Sequence, residues 1–467
     1  MLQRARCTPP VHPGPPAAPV DSQATISDLA RRLASGETSS EAVVLECLAR
    51  IQDRGSATNA FIAVWADRAL AAARAADQEI AGGRRRGPLH GVPVSLKDLI
   101  DVRDTPTTAA SAVRQGHVAP RDAVIVTRLT DAGAVLIGKT NLHEFALGPT
   151  NDDSAYGPVR HPADDRLSSG GSSGGSAVSV ATGMAWASIG TDTGGSIRIP
   201  ASLCGVVGLK PSFGDVSTDG IVPLSVSLDH VGPLCRSVSD ARLLHEVMIG
   251  SAPTAGRDVP GPRGLRLAVP RTYFLDHLDD AVAASFERAC DQLVRAGVTL
   301  DTAVVPHAAD TGPIYLCIAL AEAAEYHAAT IETRPHDYTA AIRPRLQAGR
   351  YILAEDYLRA QRGRVRLIAE VDAALDGFDA LLLPTVPVPA QPVGASTVRI
   401  GDWEESVRSA LLRLTQLFNV TGHPAITVPG RPTPSGLPVG IQLVGARGAT
   451  SHLLDVAAAL EAAIGPA

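Results

Sequence analysis

Two stretches in the middle of the chain set serine within dense glycine: Gly170-Gly171-Ser172-Ser173-Gly174-Gly175-Ser176 and Gly190-Thr191-Asp192-Thr193-Gly194-Gly195-Ser196-Ile197-Arg198. Glycine gives up more backbone freedom on folding than any other residue, so ordering this many is costly. An enzyme tolerates that cost where backbone N–H groups must come close to a reacting atom. A flexible linker has a similar composition, but a linker does not enclose an apolar stretch such as Ala177 to Ile189. That stretch can fold a helix and a short strand, which would bring Ser172 and Ser196 into one cleft. The two runs read as a reactive site.

A third candidate lies upstream, in Leu89-His90-Gly91-Val92-Pro93-Val94-Ser95-Leu96-Lys97-Asp98, where Val92 to Leu96 reads as a short buried strand ending at Lys97. Of 42 basic residues only Lys97, Lys139 and Lys210 are lysines. Arginine stays charged at any workable pH, whereas a buried lysine can shed its proton. Lys97 is therefore a candidate basic amine, and a simple ion pair with Asp98 or Asp101 is the alternative.

Taken together, Gly91-Val92-Pro93-Val94-Ser95-Leu96-Lys97-Asp98, the Gly170–Ser176 run and the Gly190–Arg198 run resemble the amidase signature family. The separations, 75 residues from Lys97 to Ser172 and 24 from Ser172 to Ser196, match the spacing of that family's catalytic set. The similarity continues through Cys204–Pro211, Ser227–Pro233, Phe418–Ala425 and Leu437–Leu443. It spans roughly residues 24 to 464, with a weaker middle from about 250 to 375.

The resemblance implies a Ser–Ser–Lys triad. Ser196 would be the nucleophile that forms an acyl-enzyme. Ser172, preceded in the family by a cis peptide bond, would relay the proton, and Lys97 would be the terminal base. To act near neutrality the amine must fall from about 10.4 to about 7–8. The N–H groups of Thr193, Gly194, Gly195 and Ser196 would form the oxyanion hole, where the loss of one donor typically costs about 10²–10³ in rate. Ser173, Asp192 and Arg198 are expected to support these groups. The implied fold is α/β: a central mixed twisted sheet covered by helices on both faces.

Two other motif matches fail on physical grounds. Gly133-Ala134-Val135-Leu136-Ile137-Gly138-Lys139-Thr140 fits the phosphate-loop pattern, but its inner residues are an apolar strand where a phosphate loop needs a turn. Gly170-Gly171-Ser172-Ser173-Gly174 fits the nucleophile-elbow pattern, which needs a strand leading in. Residues 150 to 169 are too polar to supply one.

Residues 1 to 22 hold six prolines and no apolar run, and are expected to form a disordered tail and not a signal peptide. A single amidase domain is expected over 23–467. Helices are expected from Thr25–Asp28 onward, from a capping box at Thr38–Glu41, near Trp65 to Ala81, Arg121 to Ala132, Asp280 to Ala296 and Tyr351 to Asp372. Strands are expected at Ala134 to Ile137, Leu265 to Pro270 and Ala380 to Pro384, and the alternation suits a covered sheet. Arg84-Arg85-Arg86 is expected to stabilise a helix C-terminus. With a net charge of −6 and no basic stripe, no nucleic-acid partner is expected, and no stretch reads as a membrane span. The six cysteines show no close pairing, which suits a reduced cytoplasm.

The A subunit of glutamine-dependent tRNA amidotransferases is similar to this chain. That subunit holds glutamine with an arginine, matched here by Arg364, and with an aspartate seven residues before an Asn-x-x-Gly segment. The aspartate position is Leu412 here. Without that carboxylate to answer an ammonium group, a neutral or less zwitterionic substrate is expected, such as a small amide, anilide or carbamate (urethane), with esters as side substrates. The alternative is an amidotransferase A-type subunit. The chain is expected to be a monomer or homodimer and to need no metal or cofactor. Dialysis against a strong chelator should leave hydrolysis unchanged; a loss restored by zinc would contradict this.

Overall fold

The computed structural model describes residues 24–252 and 261–465. The proline-rich segment 1–22, expected to be disordered, lies outside the described residues, as does Cys7. In chain order the strands are β1 (Phe61–Val64), β2 (Pro93–Lys97), β3 (Val135–Thr140), β4 (Ala187–Asp192), β5 (Val207–Lys210), β6 (His230–Cys235) and β7 (Arg266–Pro270). They continue with β8 (Thr299–Ala303), β9 (Ala380–Pro384), β10 (Thr397–Ile400), β11 (Trp403–Ser406), β12 (Ala425–Pro429) and β13 (Gly440–Val444). Eleven of them form one sheet in the order β1-β3-β2-β4-β6-β5-β12-β13-β9-β7-β8, and β10 and β11 form a separate hairpin. β3, β2 and β4 run parallel, as do β9, β7 and β8; the other neighbours in the sheet pair antiparallel. The sheet is mixed, as the resemblance implied.

Strand side chains alternate between the two faces, and helices cover both. Leu267 and Val269 of β7 and Leu382 of β9 pack in one cluster with Val238, Phe286 and Leu453, from the helices Val238–Ile249, Asp280–Arg295 and Thr450–Ile464. Ala268 of β7 and Leu381 and Leu383 of β9 pack in another with Ile318 and Leu367, from Thr311–Tyr326 and Ala354–Leu375. Full burial of each Leu side chain contributes about 1.5–3 kcal/mol. A strand apolar on both faces, such as Ala380-Leu381-Leu382-Leu383, is stable only under two such layers.

Element positions hold with local shifts. The first helix is Ile26–Ser35, capped by a reciprocal Thr25–Asp28 box. The second begins at Ser40 with Ser39 as its cap, one residue later than the expected Thr38–Glu41 box. Glu41 instead accepts from Arg74 at 2.7 Å. β3 runs to Thr140, beyond the expected end at Ile137, because Lys139 is buried there against Asp98. The long helix expected at Tyr351–Asp372 is Ala354–Leu375, with Tyr351 left exposed. Arg84–Arg86 follows the helix Ala66–Ala81 at its C-terminal end: Arg84 N–H donates to the Glu79 carbonyl at 2.9 Å and Arg86 to the Glu79 carboxylate at 2.8 Å, while Arg85 reaches the Ala30 carbonyl at 3.1 Å. No helix among the described residues is long and apolar enough to cross a membrane. The five described cysteines are unpaired.

The parallel trio sets up the site. β2 and β4 are hydrogen-bonded neighbours in the register Leu96↔Ile189, so their carboxyl ends, Lys97 and Asp192, finish side by side. Ligand sites in α/β sheets form beyond such strand ends. The helix Gly174–Ala181 returns the chain from the first serine run to β4.

Candidate active site

Lys97 is fully buried at the end of β2. Its Nζ lies 2.8 Å from Ser172 Oγ, 2.9 Å from Ser173 Oγ and 2.8 Å from Thr191 Oγ1. No carboxylate among the described residues forms an ion pair with it. Asp98 instead pairs with Lys139 at 3.2 Å and accepts from Thr108 Oγ1 at 2.5 Å, which removes the simple Lys97 ion pair. Burial pushes the Lys97 amine down to about 7, against a partial upward pull from Asp192 and Asp229. A neutral amine has two N–H donors and one lone pair. The hydroxyls of Ser173 and Thr191 can accept the two donors, since Ser173 Oγ donates its own proton to the Thr191 carbonyl at 3.1 Å. The lone pair is then left for the Ser172 hydroxyl.

Ser172 follows a cis Gly171–Ser172 peptide bond. The backbone around it is clamped: Gly171 N–H donates to the Pro149 carbonyl at 2.6 Å, and the Ser172 carbonyl accepts from His143 N–H at 3.2 Å. Ser173 N–H donates to the Ser196 carbonyl at 3.1 Å, which joins the two serine runs directly. Ser196 is 5% exposed, and its hydroxyl has no hydrogen-bond partner among the described residues. The hydroxyls of Ser172 and Ser196 are likewise not hydrogen-bonded to each other; such links commonly tighten only once substrate is bound.

The loop after β4 is shaped by Asp192. Its carboxylate accepts from Gly195 N–H at 2.7 Å and Ile197 N–H at 3.1 Å. The expectation of four oxyanion donors is corrected here, because the Gly195 N–H is already taken. The N–H groups of Thr193, Gly194 and Ser196 have no acceptor among the described residues. Glycine is required at 195, where φ is +136° and a β-carbon would come within 2.2 Å of Thr415 Oγ1. At Gly194 a β-carbon would meet the Tyr315 hydroxyl at 2.7 Å.

Arg198 completes the loop, and the pair it makes with Asp192 is wholly buried on both sides. All five guanidinium N–H groups are answered. Nε and Nη2 donate to Asp192, Nη1 to the Thr415 carbonyl and Gln442 Oε1, and Nη2 also to Asn419 Oδ1, at 2.6–3.0 Å. Burial alone would push the Asp192 carboxyl up; Arg198 first, then Lys210 and Asn419, hold it well below the usual range instead. Asn419 Nδ2 also donates to the Asp192 carbonyl, and Thr415 Oγ1 to the Gly194 carbonyl.

Thr191, Asn419, Thr415, Gln442, Tyr315 and Asp229 are site residues that spacing did not reveal. Thr191, Asp229, Asn419 and Gln442 stand inside segments that carried the family resemblance, a signal without a role attached. Asp229 accepts from Thr193 Oγ1 at 2.5 Å, and burial pushes its carboxyl up to about 6. A cavity of about 170 Å³, lined by Ala146, Thr191, Thr193, Asp229 and His230, opens beside them. Arg364 donates to the Ser227 carbonyl at 3.0 Å and so braces the loop that carries Asp229. Leu412 is buried in the apolar cluster around Leu411 and Ile199. No group of three His, Cys, Asp or Glu among the described residues is placed to hold a metal.

A covered mixed sheet with this serine–lysine constellation beyond its parallel strand ends defines the class, and comparison with known proteins agrees. The profile of the family described as Amidase matches residues 42–454, and the chain belongs to the amidase signature family. It is 41% identical to the A subunit of the glutamyl-tRNA(Gln) amidotransferase of Anaeromyxobacter sp. (strain K), over 93% of this chain and 95% of that one. It is 39% identical to an amidase of Pseudomonas putida, over 87% and 88% of the two chains. A solved amidase structure superposes with a TM-score of 0.90 at 38% identity, covering 95% of this chain and all of that one.

The Arg198 network makes a stability prediction. Arg198→Met would leave the Asp192 carboxylate buried without its cation, and should lower the unfolding free energy by about 3–5 kcal/mol. Urea denaturation measures it, and a change below about 1 kcal/mol would contradict the network's weight.

Proposed function

We propose that this chain is a stand-alone hydrolase of amide-type C–N bonds in small molecules, working through an acyl-enzyme on Ser196. The observation that carries the reading is Lys97, buried without a counter-ion and in contact with Ser172. Ser196 Oγ attacks the carbonyl carbon as its proton passes to Ser172 Oγ and the Ser172 proton to Lys97 Nζ. The tetrahedral oxyanion is met by the N–H groups of Thr193, Gly194 and Ser196. As the C–N bond breaks, the same relay runs backward and delivers the proton to the departing nitrogen. Water then attacks the acyl-ester, losing its proton by the same route, and Ser196 is released with the acid. Ser173 and Thr191 hold the amine, Asp192 and Arg198 hold the loop, and Arg364, beyond its bond to the Ser227 carbonyl, is a candidate substrate contact. Carbamates and esters present the same carbonyl centre and are expected substrates of the same chemistry.

Leu412 supports this reading over glutamine, whose ammonium group would find no carboxylate at that position. A second reading, an amidotransferase A-type subunit, is supported by the 41% identity to such a protein. Purified chain alone separates them: the first predicts turnover of simple amides without partners, the second turnover only within a complex.

Ser196→Ala should abolish hydrolysis of a simple anilide while leaving the fold intact; near wild-type activity would end the assignment. The pH profile tests Lys97. A proton-accepting amine must be neutral, and its folded value of about 7 lies below the ordinary lysine value. The rate should therefore climb with pH below about 7 and level off above it. Lys97→Arg cannot cycle a proton and should depress amides far more than activated aryl esters, whose phenolate departs without protonation. An unchanged amide-to-ester rate ratio in Lys97→Arg would reduce the lysine to a structural cation.

A further inference from the structure

Two cations close to the serines have no task in the chemistry described above. Arg345, in the helix Arg343–Gly349, and Arg408, in the helix Val407–Arg413, both donate through Nη1 to one acceptor, the Leu147 carbonyl, each at 3.0 Å. Neither makes an ion pair among the described residues. The acid whose charge Arg345 feels, Asp153, accepts from Thr339 Oγ1 at 2.7 Å instead. Arg236 is another buried arginine without a carboxylate partner, but its Nε and Nη2 are sealed from solvent and its guanidinium lies over the Trp186 ring. The spare N–H groups of Arg345 and Arg408 are not sealed in this way.

Their location ties them to the active site. Leu147 belongs to the segment packed on the cis bond: Pro149 accepts from Gly171 N–H, and a β-carbon at Gly171 would lie 3.3 Å from the Gly148 carbonyl. Within range of their charge is Tyr315, only 4% exposed, whose hydroxyl lies over Gly194 and has no hydrogen-bond partner among the described residues. Both guanidiniums act on this phenol by charge. Two like charges held together cost free energy, and burial followed by Arg345 pushes Arg408 down to about 10. An anion bridging the forks would reverse that cost, and a carboxylate matches guanidinium geometry through paired N–H···O bonds. Arg408 and Leu412 stand four residues apart on one helix, hence on one face. That face carries a cation and an apolar side chain, and the helix Val407–Arg413 holds no carboxylate to answer an ammonium.

We propose that Arg345 and Arg408, with the Tyr315 hydroxyl beside them, form a carboxylate subsite, so that the substrate is an amide bearing a free carboxylate and no ammonium group. This rests on the amide-hydrolase reading and narrows its substrate class. It is distinct from the contact assigned to Arg364, which is engaged with Ser227.

The test uses the purified full chain and two matched pairs: glutaramate against glutaramide, and N-acetyl-β-alanine against N-butylacetamide. They place the carboxylate on the acyl and on the amine side respectively. In at least one pair kcat/KM should favour the anion by about tenfold to a hundredfold, the range of one charge-assisted hydrogen bond. Arg345→Gln/Arg408→Gln should remove that preference. Calorimetric titration gives a readout without turnover: glutarate should bind more tightly than glutaramide, and the double substitution should abolish the difference. If the double variant does not fold, Arg408→Lys, which keeps the charge but loses the fork, should shrink both preferences. No anion preference in either pair together with equal binding of glutarate and glutaramide would overturn the subsite. Preferences that persist undiminished in the folded variants would overturn it too. Glutarate binding that depends on both arginines, in a protein that turns over no amide, would keep the subsite and sink the amide-hydrolase reading instead.

Discussion

A guanidinium taken out of water must have every N–H answered by protein, and at Arg198 that demand draws together the most distant parts of the chain. Its five donors end on Asp192 in its own loop and on Thr415, Asn419 and Gln442, more than 200 residues away. Asp192 is then fixed, and its carboxylate in turn takes the N–H groups of Gly195 and Ile197. The curvature of the loop, with Ser196 at its turn and three N–H groups left free, follows from that chain of obligations. Unpaired charge in a low-dielectric interior is so costly that the loop has few alternatives.

Lys97 obeys the opposite rule. It is just as buried but receives hydroxyls in place of a carboxylate, so the environment favours the neutral amine. Its neighbour in sequence, Asp98, is the counter-charge it lacks, yet the end of β2 directs the two side chains to different partners. Asp98 goes to Lys139 in β3, and Lys97 turns toward β4. The chain's three lysines thus hold three different electrostatic positions. Lys139 is ion-paired, Lys97 is surrounded by hydroxyls, and Lys210 is pushed well below its ordinary value by burial and then by Arg198.

Where sequence reading fell short, the cause was a contact between segments remote in sequence. The expected β3 stopped at Ile137, where the apolar run ends; Asp98, 41 residues upstream, makes Lys139 an interior residue, and the strand continues to Thr140. Counting Gly195 among the oxyanion donors took the glycine run as uniformly available, whereas the Asp192 carboxylate claims one of its N–H groups. Arg345 and Arg408 lie in a stretch with weak family likeness and beyond it, and nothing in their local sequence signals that they share an acceptor. Strands with continuous apolar runs, such as Ala380–Pro384, and the first helix with its Thr25 cap were legible because their determinants are local.

What the sequence alone determined is the set of chemical parts: three lysines among many arginines, two glycine–serine runs at a fixed separation, and an α/β alternation of elements. Local rules suffice there, since backbone freedom, side-chain period and capping act within a few residues. Only the tertiary structure decided which parts carry charge, which N–H groups stay free, and which cations lack a counter-ion. Those properties depend on dielectric surroundings and on partners tens to hundreds of residues away, and neither exists until the sheet has closed around Lys97 and Arg198.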